Sequence, residues 1–144
     1  MYKRILVALE NGRADATIVP HVTALARQMS AEVILLHVAD GYAARYFDQL
    51  QLAESAEMRE DRAYLERIAG EMRTAGLAVE TQLALGNPPT EIVKIAAARE
   101  CSLIAMTSHG HRWLADIFCG STISHVRHHT TIPMLILKAE KRGR

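Results

Sequence analysis

Apolar positions along the chain follow two rhythms, continuous short blocks and three-to-four-residue steps, and the rhythm changes at turn residues. Ile5 to Leu9 form a β-branched and aliphatic block closed by Glu10-Asn11-Gly12, which predicts a buried strand ending in a turn. Between Asp15 and Met29 the residues Ile18, Val19, Val22, Leu25, Ala26 and Met29 recur at helical steps, so one face can pack on a sheet. Proline is well tolerated only in the first turn of a helix, so Pro20 sets the start near Ala16 or Thr17. Val33 to Val38 supply a second continuous strand, and the aperiodic segment 40–49 predicts a loop.

A long helix is predicted from Leu50 to Thr74, with Leu65, Ile68, Met72 and Ala75 at helical spacing and Glu57, Arg59, Glu60 and Asp61 on the remaining surface. Ala75-Gly76 ends it. Val79 to Leu85 alternates apolar and polar residues, as a half-exposed strand near a sheet margin does. Gly86-Asn87-Pro88-Pro89 reads as a turn, Thr90 to Glu100 as a short helix and Leu103 to Met106 as a fourth strand. Gly120 to His129 is the last predicted helix and Ile132 to Lys138 the last strand.

Strands and helices that alternate with short connections predict an α/β fold, an open parallel sheet with helices on both faces and right-handed crossovers. A chain of 144 residues, 49% of them hydrophobic, suits one domain over residues 1–144 with a sizeable core. The net charge of +1 gives no basic field for nucleic acid. The apolar runs are too short to cross a bilayer. Cys101 and Cys119 show no CxxC spacing, and the chain enters a strand directly at its start, so the expectation is a soluble, reduced, cytoplasmic protein.

In such sheets ligands bind at the carboxyl ends of the strands, where the winding direction reverses. The candidate site therefore gathers Ala8, Leu9 and Glu10, then His37, Val38 and Ala39, and the segment after the fourth strand. That segment, LIAMTSHGHRWLADIFCGST over 103–122, runs from a strand through a small polar loop to a Gly-Ser-Thr that opens a helix. Unpaired backbone N–H groups converge in that geometry, and phosphate is the fitting guest. Met106, Thr107, His109, Gly110, Arg112, Gly120, Ser121 and Thr122 are its candidate ligand contacts. Capping for stability alone explains the glycines and hydroxyls too, and plain core packing competes with adenine contact for Leu9 and Val38.

Four blocks in order, the opening ILVAL strand, the LLHV strand, the Gly86-Asn87-Pro88 turn leading to LIAM, and SHG-x9-GS followed by HVRHHTTIPMLIL, make the chain resemble the universal stress protein family over essentially its whole length. The resemblance implies a five-stranded parallel sheet, a homodimer through the C-terminal strand (133–138), and binding of ATP or AMP through a Gly-x-x-Gly-x9-Gly-Ser/Thr motif. Thr107 stands where that motif has its first glycine, and Glu10 where nucleotide-binding members often carry an aspartate. If position 107 needs a left-handed backbone, threonine there costs about 1–2 kcal/mol. If glycine only leaves room beside a phosphate, Thr107 can instead donate its hydroxyl to the same oxygen. A Mg²⁺ ion accompanying the nucleotide would sit mainly on the phosphates, with Asp116 the nearest acidic side chain in sequence.

His125, His128 and His129 share one helix at steps of three and four, with His109 and His111 before it, a spacing that two metal-binding histidines can use. A solvated histidine face is the competing reading. Cys119 near a helix start reads as a packed thiol rather than a nucleophile. No nucleophile elbow, Gly-Lys-Ser/Thr phosphate loop or carboxylate pair marks an efficient enzyme. The function classes left are a nucleotide-binding stress-response regulator, a nucleotide-free dimeric adaptor and a slow ATP hydrolase. Met134 to Leu137 form an apolar strand near the chain end whose uncovered edge invites pairing with a second copy.

Overall fold

A computed structural model of the protein describes residues 1–39, 56–108 and 120–139. In chain order these residues form β1 (Arg4–Ala8), α1 (Asp15–Met29), β2 (Glu32–Ala39), α2 (Ala56–Thr74), β3 (Val79–Leu85), α3 (Pro88–Ala98), β4 (Leu103–Ser108), α4 (Gly120–His129) and β5 (Met134–Lys138). The five strands make one sheet in the order β3-β2-β1-β4-β5, and every neighbouring pair is parallel. The chain winds outward from β1 to β2 and β3, then crosses to the other side for β4 and β5. The reversal falls between β1 and β4.

Parallel strands covered on both faces need apolar residues at every position rather than at alternate ones. Ile5, Val7, Leu9, Val33, Leu35, Leu103 and Ala105 pack on one face with Ile18, Val22, Leu65 and Met72 from α1 and α2. Leu6, Ala8, Ile34, Leu36, Val38, Ile104 and Met106 pack on the other with Ile92, Ile95, Ala96 and Val126 from α3 and α4. Each large aliphatic side chain buried in this way contributes about 1.5–3 kcal/mol. As the alternation of its residues predicts, β3 is an outermost strand, and β5 is the other, with Ile136 39% exposed.

Three helices end by one device. Ser30, Gly76 and Glu100 take left-handed backbones with φ of 53°, 97° and 53°. The next amide then reaches back to the helix, from Ala31 to the Ala26 carbonyl at 2.9 Å, Leu77 to Met72 at 3.2 Å and Cys101 to Ala96 at 2.9 Å. Each returning residue is buried, so the chain leaves the helix aimed at the following strand. Only Gly76 advertises this in sequence. The left-handed Glu100 also ends α3 at Ala98, two residues before the predicted boundary.

Two helix starts differ from expectation, both at proline. The first helix begins at Asp15, before the predicted Ala16 or Thr17, and Pro20 lies well inside it. Pro20 and Ala16, whose carbonyl loses its usual donor, are both exposed, so solvent can satisfy that carbonyl. The α3 helix begins at Pro88 rather than Thr90, because Pro88 and Pro89 occupy first-turn positions that need no donor. The last strand starts at Met134, later than the predicted Ile132. Pro133, which has no N–H for the ladder, contributes only its carbonyl, accepting from the Ile104 amide at 3.0 Å. The predicted loop 40–49 and the first residues of the predicted helix from Leu50 lie outside the described residues.

Candidate functional site

The carboxyl end of β1 is held by side chains from three other elements. Leu9 offers its carbonyl to His37 Nδ1 at 2.9 Å, and because a carbonyl only accepts, that ring nitrogen carries the hydrogen. His37, 3% exposed, turns Nε2 toward Asp61 of α2, 3.6 Å from Oδ2. Asn11 donates from Nδ2 to the Asp61 carbonyl at 3.3 Å and to its Oδ1 at 3.0 Å. Asn11 has a φ of 56°, a conformation that asparagine tolerates better than most residues.

Asp15, the first residue of α1, is the second anchor. Its Oδ1 accepts from the Glu10 amide at 3.0 Å, and its Oδ2 accepts from the Gly12 amide at 3.3 Å and the Tyr64 hydroxyl at 2.9 Å. Burial raises the Asp15 carboxyl above its ordinary value, and the hydrogen bonds from Glu10, Tyr64 and Gly12 partly offset this. Burial also pushes the Tyr64 phenol up, and the adjacent Asp15 charge adds to the shift. The backbone of residues 9–12, including Glu10, is thereby tied to β2, α1 and α2. Asn11, Asp15, Asp61 and Tyr64 were missed as parts of this site by the sequence reading. An aspartate at a helix start is the single local signal that points to any of them.

The candidate residues reach the carboxyl end of the sheet in different ways. Ala8, Leu9, Val38 and Met106 are there, but their side chains belong to the core on the two faces. Glu10 is partly exposed at the mouth. Thr107 is a strand residue paired with Leu137, fully buried, and absent from the left-handed residues, so the strain considered for that position does not arise. Gly120 opens α4 and is exposed with Ser121, whereas Thr122 turns inward and is 7% exposed. His109, Gly110 and Arg112 lie outside the described residues, as do His111, Asp116 and Cys119.

Gly120 needs no left-handed backbone, and a Cβ built on it would meet no described atom within 4 Å. On α4 the rings of His125 and His129 stack at 4.0 Å with 15° between their planes. His128 and His129 each use Nδ1 on a carbonyl one turn earlier, at 2.6 and 2.8 Å. Among the described residues no three His, Cys, Asp or Glu side chains are grouped to hold a metal. Cys101 is buried, and that burial raises its thiol pKa.

An open parallel α/β sheet whose winding reverses between two adjacent strands defines a class of proteins with a ligand crevice at the strand ends. The chain matches the Universal stress protein family over residues 1–138 and belongs to that family. It is 30% identical to universal stress protein MJ0577 of Methanocaldococcus jannaschii, with 96% of each chain aligned. The solved structure of MJ0577 superposes with a TM-score of 0.78 at 28% identity, covering 98% of this chain and 99% of that one. A universal stress protein from Archaeoglobus fulgidus, solved in complex with dAMP, gives a TM-score of 0.70 at 20% identity over 95% and 98% of the two chains. Another universal stress protein, in complex with cAMP, gives 0.67 at 17% identity over 96% and 98%. At those two identities the likeness establishes the fold. Among the described residues no helix is long and apolar enough to cross a membrane.

Proposed function

We propose that the protein is a stress-response regulator that binds an adenine nucleotide, ATP or AMP, in the crevice between the carboxyl ends of β1 and β4. The phosphates lie against the start of α4 at Gly120, Ser121 and Thr122, with His109, Gly110 and Arg112, which lie outside the described residues, as further contacts. Glu10 accepts from a ribose hydroxyl. Ala8, Leu9, Val38 and Met106 contribute through main chain at the crevice, since their side chains are committed to the core. Mg²⁺, where it accompanies the nucleotide, stays on the phosphates.

The observation that carries this reading is Gly120. It is a helix-opening residue with an ordinary backbone and no described neighbour that a side chain would strike. No positive φ and no described contact requires glycine there, and it leaves room for a ligand to approach the helix start. The dAMP and cAMP complexes of the two structural relatives lend the reading its ligand class. Heating or acidifying the purified protein should release adenine nucleotide, and calorimetry on the stripped protein should give heat with AMP or ATP. No nucleotide released and no heat at millimolar concentration would favour the nucleotide-free adaptor instead.

The same proposal includes a homodimer through residues 133–138. The β5 strand is outermost and leaves Ile136 39% exposed, an edge that pairing with a second copy would cover. Light scattering on a sizing column should give twice the chain mass, and a monomer at micromolar concentration would remove this part.

A further inference from the structure

The flank of α4 carries a pair of side chains that neither the core nor the crevice uses. Thr122 and Val126 turn inward and are buried, so the helix packs through that line. The neighbouring line holds His125, half-buried, and His129, exposed. Their rings stack with centroids 4.0 Å apart and 15° between the planes.

A histidine near a helix C-terminus is accounted for when its ring caps a carbonyl or meets the helix dipole. That accounts for His128, whose Nδ1 lies 2.6 Å from the Ser124 carbonyl. It accounts for only half of His129. The His129 Nδ1 lies 2.8 Å from the His125 carbonyl, and because a carbonyl only accepts, the neutral ring carries its proton there and keeps a lone pair on Nε2. Among the described residues the His125 ring makes no hydrogen bond and stacks on His129 instead.

An imidazole whose one N–H is held by a carbonyl while its other nitrogen stays open is set in tautomer and direction for a metal ion. Histidines four residues apart on a helix lie one above the other and can share one ion. Two ring nitrogens about 3 Å apart span a single ion at bonds of about 2.0–2.1 Å. Nearly parallel rings 4.0 Å apart come to that spacing by a small turn of His125, which no hydrogen bond among the described residues opposes. Imidazole suits Cu²⁺, Ni²⁺ and Zn²⁺, with Cu²⁺ highest in affinity, whereas Mg²⁺ takes oxygen ligands.

We propose that His125 and His129 form a two-point clamp for a divalent transition-metal ion on the flank of α4, with water in the remaining coordination positions. Each ring supplies one neutral nitrogen. The clamp lies along the helix beyond its Gly120 start and needs no nucleotide.

The test uses the full chain without an affinity tag and free of nucleotide, as wild type, His125→Ala, His129→Ala, the double variant and His128→Ala. Each is titrated calorimetrically with Cu²⁺, Ni²⁺ and Mg²⁺, and melted with and without Ni²⁺. Wild type should bind Cu²⁺ more tightly than Ni²⁺ and give no heat with Mg²⁺. Each single variant of the pair should lose about tenfold in affinity, the least expected of a ligand when even its supporting groups cost that much. The double variant should add little to either loss, because the two rings act as one unit. Ni²⁺ should raise the melting temperature of wild type and His128→Ala alone, since only a folded α4 holds the pair together. Wild type that gives no heat with Cu²⁺ or Ni²⁺ at millimolar concentration overturns the inference, as does binding that either single variant leaves unchanged. An equal loss in His128→Ala also overturns it, because the affinity then belongs to the histidines of the helix at large. The nucleotide reading stands apart from all of these outcomes.

Discussion

The two ends of the same sheet treat their polar groups in opposite ways. At the amino end Ser102 Oγ accepts from the amides of Lys3 and Arg4 at 3.0 and 3.1 Å and donates to the Arg4 carbonyl at 3.1 Å. Arg4 spreads its guanidinium between Glu32 and the Arg99 carbonyl, and Arg99 in turn reaches Glu80 and Gln82. At the carboxyl end a comparable set, His37, Asp61, Asn11, Asp15 and Tyr64, is laid around the β1 exit, yet among the described residues Asn11 Oδ1 and Thr107 Oγ1 are left unpaired. Closing one end of a parallel sheet with mutually satisfied side chains is a device for stability. The unpaired oxygens at the other end stabilise nothing by themselves.

The largest effect that this contrast predicts comes from Asp15→Ala. Loss of the carboxylate strands the Glu10 and Gly12 amides and the Tyr64 hydroxyl, which should cost about 3 kcal/mol by urea denaturation. Because the same bonds shape the Glu10 segment, adenylate affinity should fall along with stability. Next is Ser102→Ala at the opposite end, expected to cost about 1–2 kcal/mol while leaving the affinity unchanged. An affinity loss there would erase the distinction between the two ends.

Gly120→Ala should show the reverse pattern. A methyl group meets no described atom, so stability should hold, while crowding of the phosphate should weaken binding about tenfold, or about 1.4 kcal/mol. The smallest effect is a pH dependence. The Asp15 carboxyl is raised above its reference value of 3.8, so its stabilising share is full below that value and declines as the pH rises through the raised folded value. Asp15→Asn does not titrate. The advantage of wild type over Asp15→Asn in urea should therefore shrink as the pH climbs from 3.8 toward neutrality, and a gap that widened would contradict the assignment.

The scaffold was legible because its signals are local. Continuous apolar blocks such as Ile5 to Leu9 and Val33 to Val38 mark doubly covered parallel strands, and the polar alternation of Val79 to Leu85 marks a margin. Prolines misled at both helix starts, since whether a missing donor matters depends on whether the affected carbonyl meets solvent, which Pro20 alone does not disclose. The left-handed helix exits at Ser30 and Glu100 were hidden for a related reason, as those residue types carry no mark of that backbone. The site was half legible. Motif and topology put Glu10 and Gly120 forward, and the structure sets Glu10 after β1 and Gly120 at the start of α4, whereas the anchoring of the β1 exit depends on partners distant in sequence, such as Tyr64 with Asp15 and Asp61 with Asn11.

The central claim is that the open end of the sheet receives an adenine nucleotide, and co-crystallisation of the full chain with AMP addresses it most directly. The account predicts density for the nucleotide between the ends of β1 and β4, its phosphate against the Gly120 and Ser121 amides. Crystals grown in saturating AMP that show the crevice empty, or the nucleotide seated elsewhere on the molecule, would contradict it.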